Sequence, residues 1–226
     1  MFQFIVTDIW RHAYPGANAG ILVMRNVENP DRHPALDARK ASLEQDLRNQ
    51  YASMDRSGLI GIPTIQAYNT YYRTYKKTYH VQLQLESIVH KGRSIPQVAA
   101  LVEAMFIAEL SNLLLTAGHD LSKVYAPVSL SVAAGTESYI TLQGYEKSLK
   151  TGDMHILDQE GIISSVLYGP DARTRITPQT SEVLFTVYAP AGIHEDLVRK
   201  HLEDIRENVF VVTPGAQVER LEVFSA

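Results

Sequence analysis

Residues 98–134 read VAALVEAMFIAELSNLLLTAGHDLSKVYAPVSLSVAA, and a change of period inside this stretch decides the fold class. From Val98 to Leu115 the chain is almost continuously apolar, broken by Glu103, Glu109 and Asn112. Two acids and an amide in so short a run argue against a membrane span. The length suits a helix buried on most sides, with Ser94 and Pro96 at its start. From Val128 onward the chain turns to short β-branched runs separated by Gly, Pro or Asp, the signature of strands.

Toward the N-terminus the pattern is helical. Leu36, Leu43, Leu47 and Tyr51 share one face of a helix over residues 34–51. Pro63 and Thr64 open a second helix reaching about Tyr79. Ser87, Ile88 and Val89 lie in a shorter third that stops near Gly92. Two strands, residues 2–6 and 20–24, precede these helices and are set apart by the Pro-containing segment 25–34. Toward the C-terminus strands are expected at 127–133, 138–142, 154–158, 162–168, 182–189, 209–212 and 218–224, with one helix over 193–208. Helices first and strands later predict an α+β fold with a mixed or antiparallel sheet in its second half.

Composition bounds the function. The chain has 226 residues, 45% apolar and 20% charged, with no cysteine. Such a chain is globular and long enough to bury a core without a disulfide or metal staple. The absence of cysteine excludes disulfides, cysteine nucleophiles and thiolate–zinc sites. It suits a cytoplasmic protein, as does an N-terminus, MFQFIVTDIW, without a basic leader or cleavage site. No metal and no cofactor is expected. Charge is uneven. Residues 61–93 carry five Lys/Arg against one Asp/Glu, whereas residues 94–226 carry nine against seventeen. A polyanion could therefore be met only through a local patch.

Common catalytic signatures are missing: there is no GxxxxGK phosphate loop, GxGxxG, GxSxG or HExxH. The most unusual local feature is YNTYYRTYKKTYH, residues 68–80. At helical period Tyr68, Tyr71, Tyr72, Tyr75 and Tyr79 share a face, with Arg73, Lys76, Lys77 and His80 beside it. A basic face next to aromatics can hold phosphates and stack bases. The same stripe is more commonly core packing beside a solvated face. His194 and His201 share a helix face about 10 Å apart, too far for one metal, and read as surface residues. His119 and Asp120 read as part of a glycine-containing turn. Arg173 and Arg175 alternate along one side of an extended segment and could hold a carboxylate or phosphate. An Asp171–Arg173 turn is the competing reading.

Three blocks resemble a known family. Residues 72–115, with Glu86, Lys91-Gly92, Ile95-Pro96 and Ser111-Asn112-Leu113, are similar to the helical half of the B3/4 domain. This is the editing domain of the phenylalanyl-tRNA synthetase β subunit, which also occurs as free-standing proteins. PVSLSVAAGTESYITLQG, residues 127–144, resembles its strand–turn–strand. Residues 151–189, with Asp158, Gly169, Thr177 and Thr180, resemble its last block. The resemblance spans roughly residues 65–193. It implies a B3/4-like domain over 61–226 with an α/β N-terminal extension, residues 1–60, packed on the core.

In the synthetase the domain hydrolyses tyrosine wrongly attached to the phenylalanine tRNA. The resemblance therefore implies trans-editing, the deacylation of a mischarged aminoacyl-tRNA, with tRNA or a free amino acid as partner. The alternatives are a non-catalytic amino-acid or RNA binding module and a structural or protein-interaction domain. Where the family places its tyrosine-recognising Glu, this chain has Thr186, so a phenol would not be selected there by an acidic side chain. AGHDLSK, residues 117–123, keeps the Asp and Lys of the family's motif but not its His. No catalytic residue is assigned. The implied cleft between the two halves nominates Asn112, Gly169, Arg175, Thr180 and Thr186 as ligand contacts. Arg73, Lys76, Lys77, Lys91 and Arg93 are nominated for RNA.

Overall fold

Prolines at helix starts and left-handed residues at helix ends cut the first half of the chain into short helices. In the computed structural model, which describes residues 2–226, the chain begins β1 (Phe4–Val6), α1 (Asp8–Ala13), β2 (Asn18–Arg25), α2 (Pro34–Tyr51) and α3 (Arg56–Ile60). It continues α4 (Pro63–Thr74), α5 (His80–Lys91), α6 (Ala100–Asn112), β3 (Leu115–Asp120), β4 (Val128–Val132), β5 (Ser138–Ile140) and β6 (Glu146–Ser148). The remainder is β7 (Met154–Asp158), β8 (Gly161–Ser165), β9 (Gly169–Pro170), β10 (Glu182–Ala189), α7 (Glu195–Val212) and β11 (Gln217–Ser225). The fold is α+β. None of the helices among the described residues is long and apolar enough to cross a membrane.

Several strands are shorter than expected, ending at Ser165 and Ile140 and beginning at Phe4, and four larger departures each have a local reason. The helix from Pro63 ends at Thr74, because Lys76 turns left-handed and the amide of Lys77 folds back onto the carbonyl of Tyr72. The apolar helix starts at Ala100, not Ser94. The amides of Ile95 and Val98 donate to the carboxylates of Glu44 and Glu103, at 2.7 and 3.1 Å, and hold residues 94–99 extended. That helix stops at Asn112, and residues 115–120 form a strand buried along its whole length. Periodicity cannot separate such a strand from buried helix. The expected strand at 209–212 is the last turn of α7, where Leu202, Ile205, Val209 and Val212 keep one buried helical stripe.

Two sheets form. One has the order β1-β4-β7-β8-β9 and the other β11-β2-β10-β3, with β5 and β6 making a separate hairpin. All pairs are antiparallel except β1 with β4. Residues 1–60 supply β2, an interior strand between β11 and β10. Helix α7 lies on this sheet at Gly20, where a Cβ would come within 2.8 Å of Val198 and 2.9 Å of Leu202. Only glycine lets the helix approach so closely.

The tyrosine stripe is core. The rings of Tyr68 and Tyr79 stack at 4.1 Å between centroids, and both side chains are fully buried. Their hydroxyls, with those of Tyr71 and Tyr72, satisfy backbone groups of surrounding elements. Tyr71 donates to Asp153 and accepts from the amide of Met154, both at 2.7 Å. Tyr72 donates to the carbonyl of Val166 at 2.8 Å. Tyr79 donates to the carbonyl of Leu113 at 3.0 Å. Tyr68 donates to the carbonyl of Tyr188 and accepts from the amide of Leu115.

Removing one such hydroxyl leaves buried groups without partners. Tyr71→Phe strands both the Asp153 carboxyl and the Met154 amide and is expected to cost about 1–3 kcal/mol. Urea unfolding of the two proteins measures it, and a midpoint shared with the parent would show that the hydroxyl contributes nothing.

Candidate functional site

Helix α6 presents Val102, Met105, Phe106 and Glu109 at spacings of three and four, so they share one stripe. Across from them runs β3, the edge strand of its sheet. Gly169, Pro170, Arg175 and Ile176 form the third wall, and α5 and the β5–β6 hairpin complete it with Gln84 and Leu142. These surfaces enclose a cleft of about 300 Å³, at the lower end of small-molecule pockets. A larger groove of about 360 Å³ adjoins it between α5 and α6, sharing His80, Gln84 and Phe106. That groove contains no buried charge; the cleft does.

The charge is Glu109, 2% exposed. Burial raises its pKa to about 8, against the lowering effect of a 2.7 Å hydrogen bond from the amide of Thr116. At neutral pH its carboxyl is therefore mostly protonated, yet it ionises readily if a cation arrives. The backbone of β3 adds further polar groups. The amides of Thr116 and Asp120 donate away from β10, to Glu109 and to the carbonyl of Thr174. Strand alternation turns the peptide groups of Gly118 to the same side, into the cleft. Arg175, exposed at the rim, has no ion-pair partner among the described residues.

The nominated residues separate. Gly169, with φ 77°, and Arg175 line the cleft. Asn112 does not: it faces α7, donating to Asp204 at 2.7 Å and to the carbonyl of Ala108 at 3.2 Å. Thr180 is buried behind the loop, donating to Asp120 at 2.8 Å. Thr186 is fully buried inside the sheet, opposite Ala117. Arg173 is held by Asp158 at 2.8 Å, Glu160 and Asp171, so the turn reading describes it and only Arg175 is left for a ligand.

Two histidine readings are corrected. His201 is not at the surface but fully buried, its Nε2 2.6 Å from the hydroxyl of Thr116. Burial drives its pKa down to about 3, so it cannot take a proton from Thr116 near neutrality, and the pair is structural. His119 lies within β3, not in a turn, with Nδ1 2.8 Å from Thr174. The five nominated cations are dispersed. Arg73 lines a surface recess with Asn69 and Gln66. Lys91 and Arg93 flank the left-handed end of α5. Lys77 alone reaches Tyr168, with its Nζ 4.4 Å from the ring centroid. Sequence reasoning missed Glu109 as a site residue: it was visible only as a break in the apolar run, and Glu103 breaks the same run with no cation at helical spacing either, so the sequence held no signal that told the two apart.

No family profile matches the chain, and no curated protein matches it by sequence. Among solved structures it is similar to an N-terminal fragment of the phenylalanyl-tRNA synthetase β subunit from Pyrococcus horikoshii, with a TM-score of 0.51 at 12% identity. The match covers 100% of this chain and 55% of that one, so the chain spans about half the length of its structural neighbour. The likeness is one of fold.

The buried carboxyl makes a signed prediction. Between the ordinary value of 4.5 and about 8 the folded state keeps a proton that the unfolded state gives up. This contribution to stability therefore falls as pH rises through that window and levels off above it, by at most about 1.4 kcal/mol per pH unit. Glu109→Gln lacks the effect. Urea midpoints from pH 5 to 9 should show wild type losing ground to the variant as pH rises, and parallel profiles would contradict the assignment.

Proposed function

We propose that the chain recognises an amino acid, presented as the aminoacyl end of a tRNA, and hydrolyses the ester when the amino acid is the wrong one. The observation that supports this best is the single buried carboxyl in an otherwise apolar cleft of amino-acid size. An α-ammonium group is the cation that such a carboxyl would meet. Glu109 gives up its proton on pairing with it, and the carbonyls of the β3 edge accept its remaining hydrogens. Met105, Phe106, Leu115 and Ile176 surround the side chain. Arg175 at the rim faces the carboxylate of a free amino acid, or the ribose–phosphate of an ester. The likeness to a synthetase β-subunit fragment supports a tRNA-linked ligand over other amines.

Hydrolysis adds water to the ester carbonyl and releases the ribose oxygen, which takes a proton, leaving free amino acid and uncharged tRNA. No activated side-chain nucleophile faces the cleft among the described residues, since the hydroxyl of Thr116 is directed to His201. Catalysis therefore rests on placing the ester and a water together, with the substrate's own ribose hydroxyl in reach. A phenol has no carboxylate to meet at Thr186, which is buried inside the sheet, so tyrosine is not singled out by that route.

A panel of misacylated tRNAs tests the reading. Release of one class of amino acid is expected, slowed at least about tenfold by Glu109→Gln, the loss of one charge-assisted contact worth about 1.5–3 kcal/mol. Stabilisation by a free amino acid without turnover would leave recognition and remove hydrolysis. No response to any amino acid or aminoacyl-tRNA would overturn both.

A further inference from the structure

The cleft opens beside an unneutralised cluster of lysines that the sequence distributes over separate segments. Lys77 follows α4, Lys147 lies on β6, and Lys150 follows that strand. The fold brings two of them onto Tyr168 and the third near the first. The Nζ of Lys77 stands 4.4 Å from the ring centroid and that of Lys147 stands 4.7 Å from it. Lys150 is close enough for its charge to act on Lys77. Among the described residues none of the three forms an ion pair, although the chain has net charge −4 and acids to spare.

Three like charges held together without a counterion cost free energy. The aromatic face offsets part of that, but it does not neutralise them. Desolvation, then Lys147 and Lys150, lower the pKa of Lys77. The carboxyl beneath, Asp153, is fully buried and bound by Tyr71, and burial raises its own pKa to about 7. Near neutrality it is part-ionised and raises the pKa of Lys77 in turn, so it offsets some of the three positive charges but not all of them.

Position gives the cluster its meaning. Tyr168 immediately precedes Gly169, which lines the cleft. The hydroxyl of Tyr139, the cross-strand partner of Lys147, donates to the carbonyl of Gly169 at 2.7 Å. Leu142, from the loop of the same hairpin, lines the cleft as well. One short hairpin thus carries a cleft wall and a cation.

We infer that Lys77 and Lys147 on Tyr168, with Lys150 near Lys77, bind the backbone phosphates of a single-stranded nucleic-acid end whose last residue reaches the neighbouring cleft. The identity of that strand as the 3′ end of a tRNA rests on the function proposed above; its polyphosphate chemistry rests on the lysines alone. The patch replaces the α4 face as the expected contact. Arg73 lies on that face and Lys76 in the turn that closes the helix, and neither ring contact of Tyr168 involves them.

Fluorescence anisotropy with a labelled single-stranded RNA ending in CCA, and with uncharged tRNA, tests this across a salt series. Wild type should bind at low salt. The triple variant Lys77→Gln, Lys147→Gln, Lys150→Gln should bind at least tenfold more weakly, with a log–log salt slope shallower by about 2, as three lost single-strand phosphate contacts require. The double variant Arg73→Gln, Lys76→Gln should match wild type. Because Lys77 is partly buried, Lys147→Arg with Lys150→Arg serves as a second arm and should retain binding. A triple variant with unchanged affinity and slope overturns the inference. So does a wild type that ignores both RNAs at low salt, including one that binds polyglutamate instead and thereby marks an acidic protein partner. Amino-acid titrations of the same proteins report on the cleft separately. RNA binding lost with amino-acid binding intact locates the phosphates on the patch, and RNA binding intact without any amino-acid response removes the cleft reading while leaving the patch.

Discussion

The structure depends on four tyrosine hydroxyls placed where backbone groups would otherwise be buried without partners. An unpaired amide or carbonyl in a core costs about as much as a lost hydrogen bond, and often more. Irregular junctions between elements are where such groups accumulate. Here one short helix, α4, and the residue that precedes α5 reach four junctions. Tyr71 serves the start of β7, Tyr72 the turn after β8, Tyr68 the end of β10 and the start of β3, and Tyr79 the turn that joins α6 to β3. Two of these contacts fix the turn between α6 and β3, and those two elements are facing walls of the cleft. The geometry of the site is set from behind, by residues that never touch a ligand.

Two glutamates of α6 show how the fold handles buried charge. Glu103 has no exposure and is paired with Lys40, which also meets Asp37 at 3.2 Å. Glu109, six residues further on, has no cation at all and a raised pKa. A buried ion pair seldom adds much stability, but a buried carboxyl without a partner is a standing cost. Such costs concentrate where a ligand supplies the missing partner. Glu103 belongs to the scaffold, and Glu109 belongs to the cleft.

Much of the architecture was legible because it rests on local rules. Pro34 and Tyr51 bound α2 as expected, and the strands at 154–158 and 182–189 fall on the expected residues. What could not be read depended on partners distant in sequence. Residues 94–99 stay extended because Glu44 takes the amide of Ile95. Residues 115–120 became a strand because β10 was there to pair with them. Of the five residues that the family resemblance nominated for the cleft, Gly169 and Arg175 line it, whereas Asn112, Thr180 and Thr186 sit on neighbouring segments with their side chains directed elsewhere. The lysine cluster was invisible for a related reason: two of its members lie in a region whose overall charge is strongly negative.

The interior position of β2 has a consequence for synthesis. Its two neighbours are β10 and β11, so Arg25 waits for Glu182, 157 residues later, before its strand has a first partner. During translation a long, almost wholly apolar strand therefore leaves the ribosome with both hydrogen-bonding edges bare. It stays in that condition for most of the chain's elongation, at about 5–20 residues per second. The sheet is completed from the far end of the polypeptide backward, and folding of this domain is an event that follows synthesis of its last strands, not one that accompanies it. Until then β2 is a segment exposed to wrong pairing, with both of its edges unprotected.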